Sequence, residues 1–211
     1  MKFEEAVDIV SEEPLFETGL LLAGDIDPAD LRRQLSRWTR SGRIHQLRRG
    51  LYVLAPPWRK QCPHPFLVAN RLAPGSYVSG LSALAHAGAI PEYVPETTSV
   101  TAGRPQIRTT PLGRFSFRHM KDSLMFGYRH VALGHGHCAF VAEPEKAILD
   151  MVHLHPGGDR RPYLEELRLD FDALQLDRLE ALAAIAATPK LARAASVLRE
   201  IAGDAPNYEA V

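Results

Sequence analysis

Phe3, Ala6, Val7 and Val10 recur at three- and four-residue spacing, which predicts an amphipathic helix over residues 2–12, closed off by Pro14. A second short helix is expected over residues 17–23 (ETGLLLA), ending at Gly24. A strong start signal follows. Asp27 stands as N-cap, Pro28 at the first helical position, and Asp30 in the first turn, where the helix dipole favours anions. This third helix is expected to run through Ser41, with Gly42 ending it in the left-handed conformation. At about 100° per residue, Leu31, Leu35 and Trp38 gather on one side, and Arg33, Ser36, Arg37 and Arg40 on the other. One face packs and the other is left for an anion.

The next segment, RIHQLRRGLYVL, reads as two short strands joined at Arg48-Arg49-Gly50, with glycine supplying the unusual backbone angles of a tight turn. Ile44 and Leu47 are out of step for a period-two strand, so a bulge or early turn is expected there. Three helices followed by a basic hairpin is the element order of a winged helix-turn-helix, in which the last helix enters the major groove and the wing lies along the backbone or minor groove.

Past residue 55 the pattern changes. Ala55-Pro56-Pro57-Trp58 and Cys62-Pro63-His64-Pro65 are too proline-rich for helix or central strand and mark a boundary near 56–65. Helices are expected over 66–73 and 79–88, and strands over 97–101, Gln106–Thr110, Arg114–Arg118 and in YRHVAL and HCAFVA around Gly134-His135-Gly136. EPEKAILDMVHL opens a helix with Glu143, Pro144 and Glu145 in its first turn, and two alanine-rich helices, 177–187 and 189–202, lead to Gly203. The fold class read from this is α+β: a winged helix-turn-helix over 1–57, then a mixed α+β domain over 64–203 with a helical C-terminus.

Charge sharpens the functional reading. The 211-residue chain has no net charge, yet residues 31–60 hold nine Arg or Lys and no Asp or Glu, while residues 1–30 hold one basic and nine acidic groups. Like charge collected in one segment adds nothing to fold stability but provides a footprint for a polyanion, with counterion release supplying affinity. Double-stranded DNA is the expected partner. Arg33, Ser36, Arg37 and Arg40 would meet the major groove, with Arg32, Arg43, Arg48 and Arg49 on phosphates or the minor groove. A solvated helix face is the bland alternative, and a protein-interaction module whose basic face binds an acidic partner is a third reading. Cys62 and Cys138 form no CxxC pair, and no apolar run is long enough for a signal peptide or membrane span, so a reduced, cytoplasmic setting without membrane contact is expected.

The succession RSGRIHQLRRGLYVL, a proline-rich joint, YVSGLSALAHAG and VAEPEKAILDMVH resembles the AbiEi family, the antitoxins and transcriptional regulators of type IV abortive-infection toxin–antitoxin systems. The similarity spans about residues 15–200, and its most specific parts are GRIHQLRRGLYVL and AEPEKAILD. It implies an N-terminal winged helix that binds inverted repeats in the promoter of its own operon. It also implies a C-terminal domain that counteracts a nucleotidyltransferase-like toxin encoded alongside. A stand-alone regulator without a toxin is the narrower form of the same reading.

Enzymatic alternatives rest on few residues. His135-x-His137 with Cys138, and His153-x-His155, have zinc-binding side chains without the four well-spaced ligands of a structural site, and His135 and His137 flank Gly136 in an expected exposed hairpin turn. Glu143, Glu145, Lys146 and Asp150 are the one dense charged cluster, which a nuclease could use to hold Mg²⁺. A helix start explains them instead as dipole compensation and surface pairing. Ser79 and Ser82 lack the strand–turn setting of a GxSxG nucleophile, no phosphate-binding glycine motif occurs, and helix capping is the expected role of Ser79. No catalytic residue, cofactor or metal is assigned.

Overall fold

The computed structural model of the chain describes residues 1–22 and 26–204. Helix α1 (Phe3–Val10) and helix α3 (Pro28–Arg40) face each other through the residues that the periodicity selects. Asp27 caps α3 by accepting from the backbone N–H of Ala29 at 2.7 Å and of Asp30 at 2.9 Å. At the other end Gly42 has φ +70°, and the N–H groups of Gly42 and Arg43 return to the carbonyls of Thr39 and Trp38. Leu31, Leu35 and Trp38 are buried with Phe3, Ala6 and Val10, and the Phe3 ring meets Trp38 edge-on at 5.3 Å.

The expected second helix is shorter. Phe16–Glu17 forms a strand, β1, and only Thr18–Leu21 is helical, as α2; the expected end at Gly24 lies outside the described residues. Pairing decides this, because Phe16 sits opposite Tyr52 and stacks on it at 5.7 Å. Tyr52 belongs to β3 (Leu51–Leu54), which also pairs with β2 (Ile44–Arg48), so the sheet order is β1-β3-β2. Gly50 turns the hairpin at φ +79°, and the register shifts between Gln46 and Arg48 as expected.

Both faces of this hairpin are covered. Ile44, Tyr52 and Leu54 join the core of α1 and α3, while Leu47, Leu51 and Val53 join the core of the remainder of the chain. Ile44 and Leu47 therefore look out of step in sequence because they face two different cores. The hairpin is a layer shared by the N-terminal and C-terminal parts.

The larger part is built on a six-stranded mixed sheet of order β6-β7-β5-β4-β9-β8. Its strands are β4 (Tyr77–Val78), β5 (Glu96–Thr101), β6 (Gln106–Thr110), β7 (Gly113–His119), β8 (Tyr128–Ala132) and β9 (Cys138–Ala142), parallel at β4·β9 and β5·β7. The helices are α4 (Pro65–Leu72), α5 (Gly80–His86), α6 (Pro144–Leu154), α7 (Arg161–Glu166), α8 (Leu176–Ala186) and α9 (Pro189–Asp204). The fold is thus α+β with a mixed sheet and a helical C-terminus. Strand β4 and helix α7 are absent from the sequence reading: β4 is two residues long, and α7 buries only Leu164. Neither is long enough to display a period. Among the described residues no helix is long and apolar enough to cross a membrane.

Candidate nucleic-acid interface

Burial of Leu31, Leu35 and Trp38 turns the opposite side of α3 to solvent, and Arg32, Arg33, Ser36, Arg37 and Arg40 are all exposed. Their contacts are local. Arg33 pairs with Asp30 one turn back, Arg37 meets the Gln34 side chain, Arg40 donates to Ser36 Oγ at 3.2 Å, and Arg32 donates to the Pro28 carbonyl at 3.0 Å. Water competes for both partners of such exposed contacts, so they are weak and the guanidiniums can exchange them for phosphate or base-edge acceptors. Pairing with Asp30 holds the Arg33 guanidinium above its usual pKa, so it stays a cation.

The five remaining cations of residues 31–60 divide differently, and of these Arg59 is half-buried and forms no ion pair among the described residues. Arg49, at the turn, is exposed, and its side chain makes no hydrogen bond among the described residues. Arg43 lies half-buried with its guanidinium 4.9 Å from the Phe3 ring centroid. Arg48 turns inward: it donates to the Arg71 carbonyl at 2.8 Å and to Glu17 at 3.1 Å, with 24% of its side chain exposed. Lys60 pairs with Glu12. The acidic N-terminal segment therefore neutralises Arg48 and Lys60, and among the described residues the cations without a distant acidic partner are those of α3, Arg43, Arg49 and Arg59.

The charged cluster of α6 departs most from the sequence reading. Glu145, Lys146 and Asp150 are 4%, 3% and 2% exposed, so they are core groups and not a helix surface. Lys146 pairs with Asp150, Ser79 Oγ donates to Asp150 at 2.7 Å, and the Tyr77 hydroxyl donates to Asp150 and accepts from Lys146, each at 3.0 Å. Burial pushes the Asp150 carboxyl up, against the pull of Lys146 and the two hydroxyls, and pushes the Tyr77 phenol well up. Ser79 does not cap α5; its hydroxyl is spent on Asp150. Glu145 accepts from the Gln175 N–H at 2.8 Å, and Glu143 holds Arg178 through two bonds of 2.7 and 3.0 Å. Tyr77 and Ser79 lie some seventy residues from their α6 partners, a separation at which no spacing rule links them.

His137 is likewise buried and not exposed at a hairpin turn. Its Nδ1 accepts from the His64 N–H and its Nε2 faces Gln61, both at 3.3 Å, so it braces the proline-rich joint. Among the described residues no group of three or more His, Cys, Asp or Glu is arranged to hold a metal ion.

Neither a family model nor a curated protein matches this sequence. Among solved structures the chain is similar to the Rv2827c protein from Mycobacterium tuberculosis, with a TM-score of 0.56 and 18% identity over 93% of this chain and 75% of that one. At that identity the likeness is one of fold alone.

Proposed function

We propose that the chain is a DNA-binding transcriptional regulator, with α1 to α3 and the β2–β3 hairpin acting as a winged helix-turn-helix. The observation that carries this is the exposed row Arg33, Ser36, Arg37 and Arg40 on α3, with Arg32 beside it, opposite a fully buried apolar face. A helix fits the roughly 12 Å width of the major groove, and arginine on its outer side pairs with guanine edges or phosphates. Arg49 at the hairpin turn is the wing's free cation.

The antitoxin role follows from the sequence resemblance, with a nucleotidyltransferase-like toxin as partner and repression of the shared operon as the DNA function. The rival nuclease reading asks for open carboxylates that converge on one site. Glu143, Glu145 and Asp150 each have a protein partner, which favours the structural role.

The test uses the full chain and a duplex of its own upstream promoter, titrated at several salt concentrations. The Arg33→Ala/Arg37→Ala/Arg40→Ala variant should lose affinity, and each phosphate contact removed should lower the slope of log K against log salt by about 0.9. Undiminished binding by a folded triple variant would refute the assigned face.

A further inference from the structure

A cleft of about 400 Å³ opens between the face of β5, β6 and β7 and helices α5, α6 and α7, and nothing in the DNA reading uses it. It lies within the range of about 300–1,000 Å³ common for small-molecule sites. Its walls are apolar on the helix side, through Leu81, Met151 and Leu154, and Val100 and Ile107 continue that surface on the strands. Thr98, Ser116, His155 and Tyr163 add polar edges along its walls, and its charged groups sit at two places.

The inner place is the buried network. Asp150 lies at the floor of the cleft with 2% of its surface exposed, while Lys146, Tyr77 and the fully buried Ser79 hold it from behind. Asp150 already accepts three hydrogen bonds, from Lys146, Ser79 and Tyr77, and a carboxylate offers about four acceptor positions. This end therefore reads a neutral hydrogen-bond donor such as a hydroxyl; an added ammonium would stand against Lys146. A buried ion pair in an otherwise apolar region is also no aid to stability in itself, so its opening onto a cleft asks for another role.

The outer place is Arg118. It is exposed, lines the cleft, and forms no ion pair among the described residues, whereas Glu96 at the same mouth is held by Arg114. The sheet register sets the spacing. Ser79 N–H bonds to the Thr98 carbonyl, Thr98 pairs with Ser116, and Arg118 lies two residues further along β7, so it is displaced from Ser79 by two strand spacings of about 4.8 Å across the sheet and about 7 Å along it.

We infer that this cleft is a binding site for a small organic carboxylate with an apolar body and a hydroxyl at the far end, the carboxylate held by Arg118 and the hydroxyl by the remaining acceptor position of Asp150. The inference stands apart from the DNA reading and survives its failure. Three probes separate the terms: 4-hydroxyphenylacetate carries both groups, phenylacetate lacks the hydroxyl, and tyramine replaces the carboxylate by an ammonium.

Titration of the full chain with each probe, followed by amide chemical shifts, reads affinity and place together. 4-Hydroxyphenylacetate should shift amides of residues 79–81, Thr98, Ser116 and Arg118 saturably. Arg118→Gln should weaken it about tenfold or more with an unchanged melting temperature, as expected for loss of a charge-assisted bond, and Arg118→Lys should recover part of that loss. Phenylacetate should bind more weakly and tyramine more weakly still. Equal binding of tyramine, binding by Arg118→Gln at wild-type strength, phenylacetate as tight as the hydroxy acid, or no saturable shift with any probe would overturn the assignment.

Discussion

Lys146 and Asp150 pair one turn apart on α6 with both side chains almost wholly out of water. The pair is tied to the sheet by Tyr77 and Ser79, so it joins α6 to β4 and to the start of α5. Removing one partner strands the other as an uncompensated buried charge, which typically costs about 3–5 kcal/mol. Asp150→Ala should therefore lower stability by that order in denaturant unfolding. Lys146→Met/Asp150→Leu should recover most of the loss, since no lone charge is left. A cost of a few tenths of a kcal/mol for Asp150→Ala would return the pair to the surface.

Trp38 is a core residue of the N-terminal part, edge-on to Phe3 and beneath the exposed arginines of α3. Truncation to alanine should cost about 3–5 kcal/mol, as for other buried aromatics. Thermal unfolding and promoter binding measured together check this. A variant of unchanged stability that has lost DNA affinity would place the indole in the interface.

Arg48 and Arg49 are neighbours in sequence with opposite duties. Arg48→Ala removes the bonds to Arg71 and Glu17 and should lower the melting temperature. Arg49→Ala should leave stability within about 0.5 kcal/mol, as for ordinary surface positions, and reduce the salt dependence of DNA binding by about one phosphate contact. Salt titrations and melts of the two single variants decide it. The reverse pattern would show that the hairpin meets DNA through Arg48.

Glu143 supplies a pH signature. Its two bonds to Arg178 hold its carboxyl below the ordinary value of 4.5. A depressed folded value means the stabilisation is fully present above the unfolded pKa and is lost as pH falls through the folded one. Glu143→Gln should accordingly flatten the acid limb of the stability curve below about pH 4.5 and leave the shape of the neutral region unchanged. An acid limb of identical steepness in wild type and variant would detach Glu143 from that transition.

The covered hairpin bears on how the N-terminal part can be studied. Leu47, Leu51 and Val53 are buried against the C-terminal part, so residues 1–60 cut from the chain would expose that face to water. Experiments on DNA binding accordingly belong to the full chain.

Local signals were enough to specify much of this protein. Asp27-Pro28 and Gly42 fixed the ends of α3, and the positions of Leu31, Leu35 and Trp38 fixed which side it buries, because capping and a 3.6-residue period act within a few turns of chain. The exposure of Arg33, Ser36, Arg37 and Arg40 followed from the same geometry. Tertiary structure decided the rest. The basic run of residues 31–60 is uniform in sequence, yet Glu12 and Glu17 fold back onto Lys60 and Arg48 and leave the arginines of α3, with Arg43, Arg49 and Arg59, outside those pairs. Glu145, Lys146 and Asp150 read as a solvated helix start until the sheet, α8 and α9 close over them, because i,i+4 spacing describes a pair without saying whether water reaches it. The partnership of Tyr77 and Ser79 with α6, and the cleft above it, exist only where β4 is laid beside β5 and β9; long-range strand pairing, and no local pattern, brings those residues together.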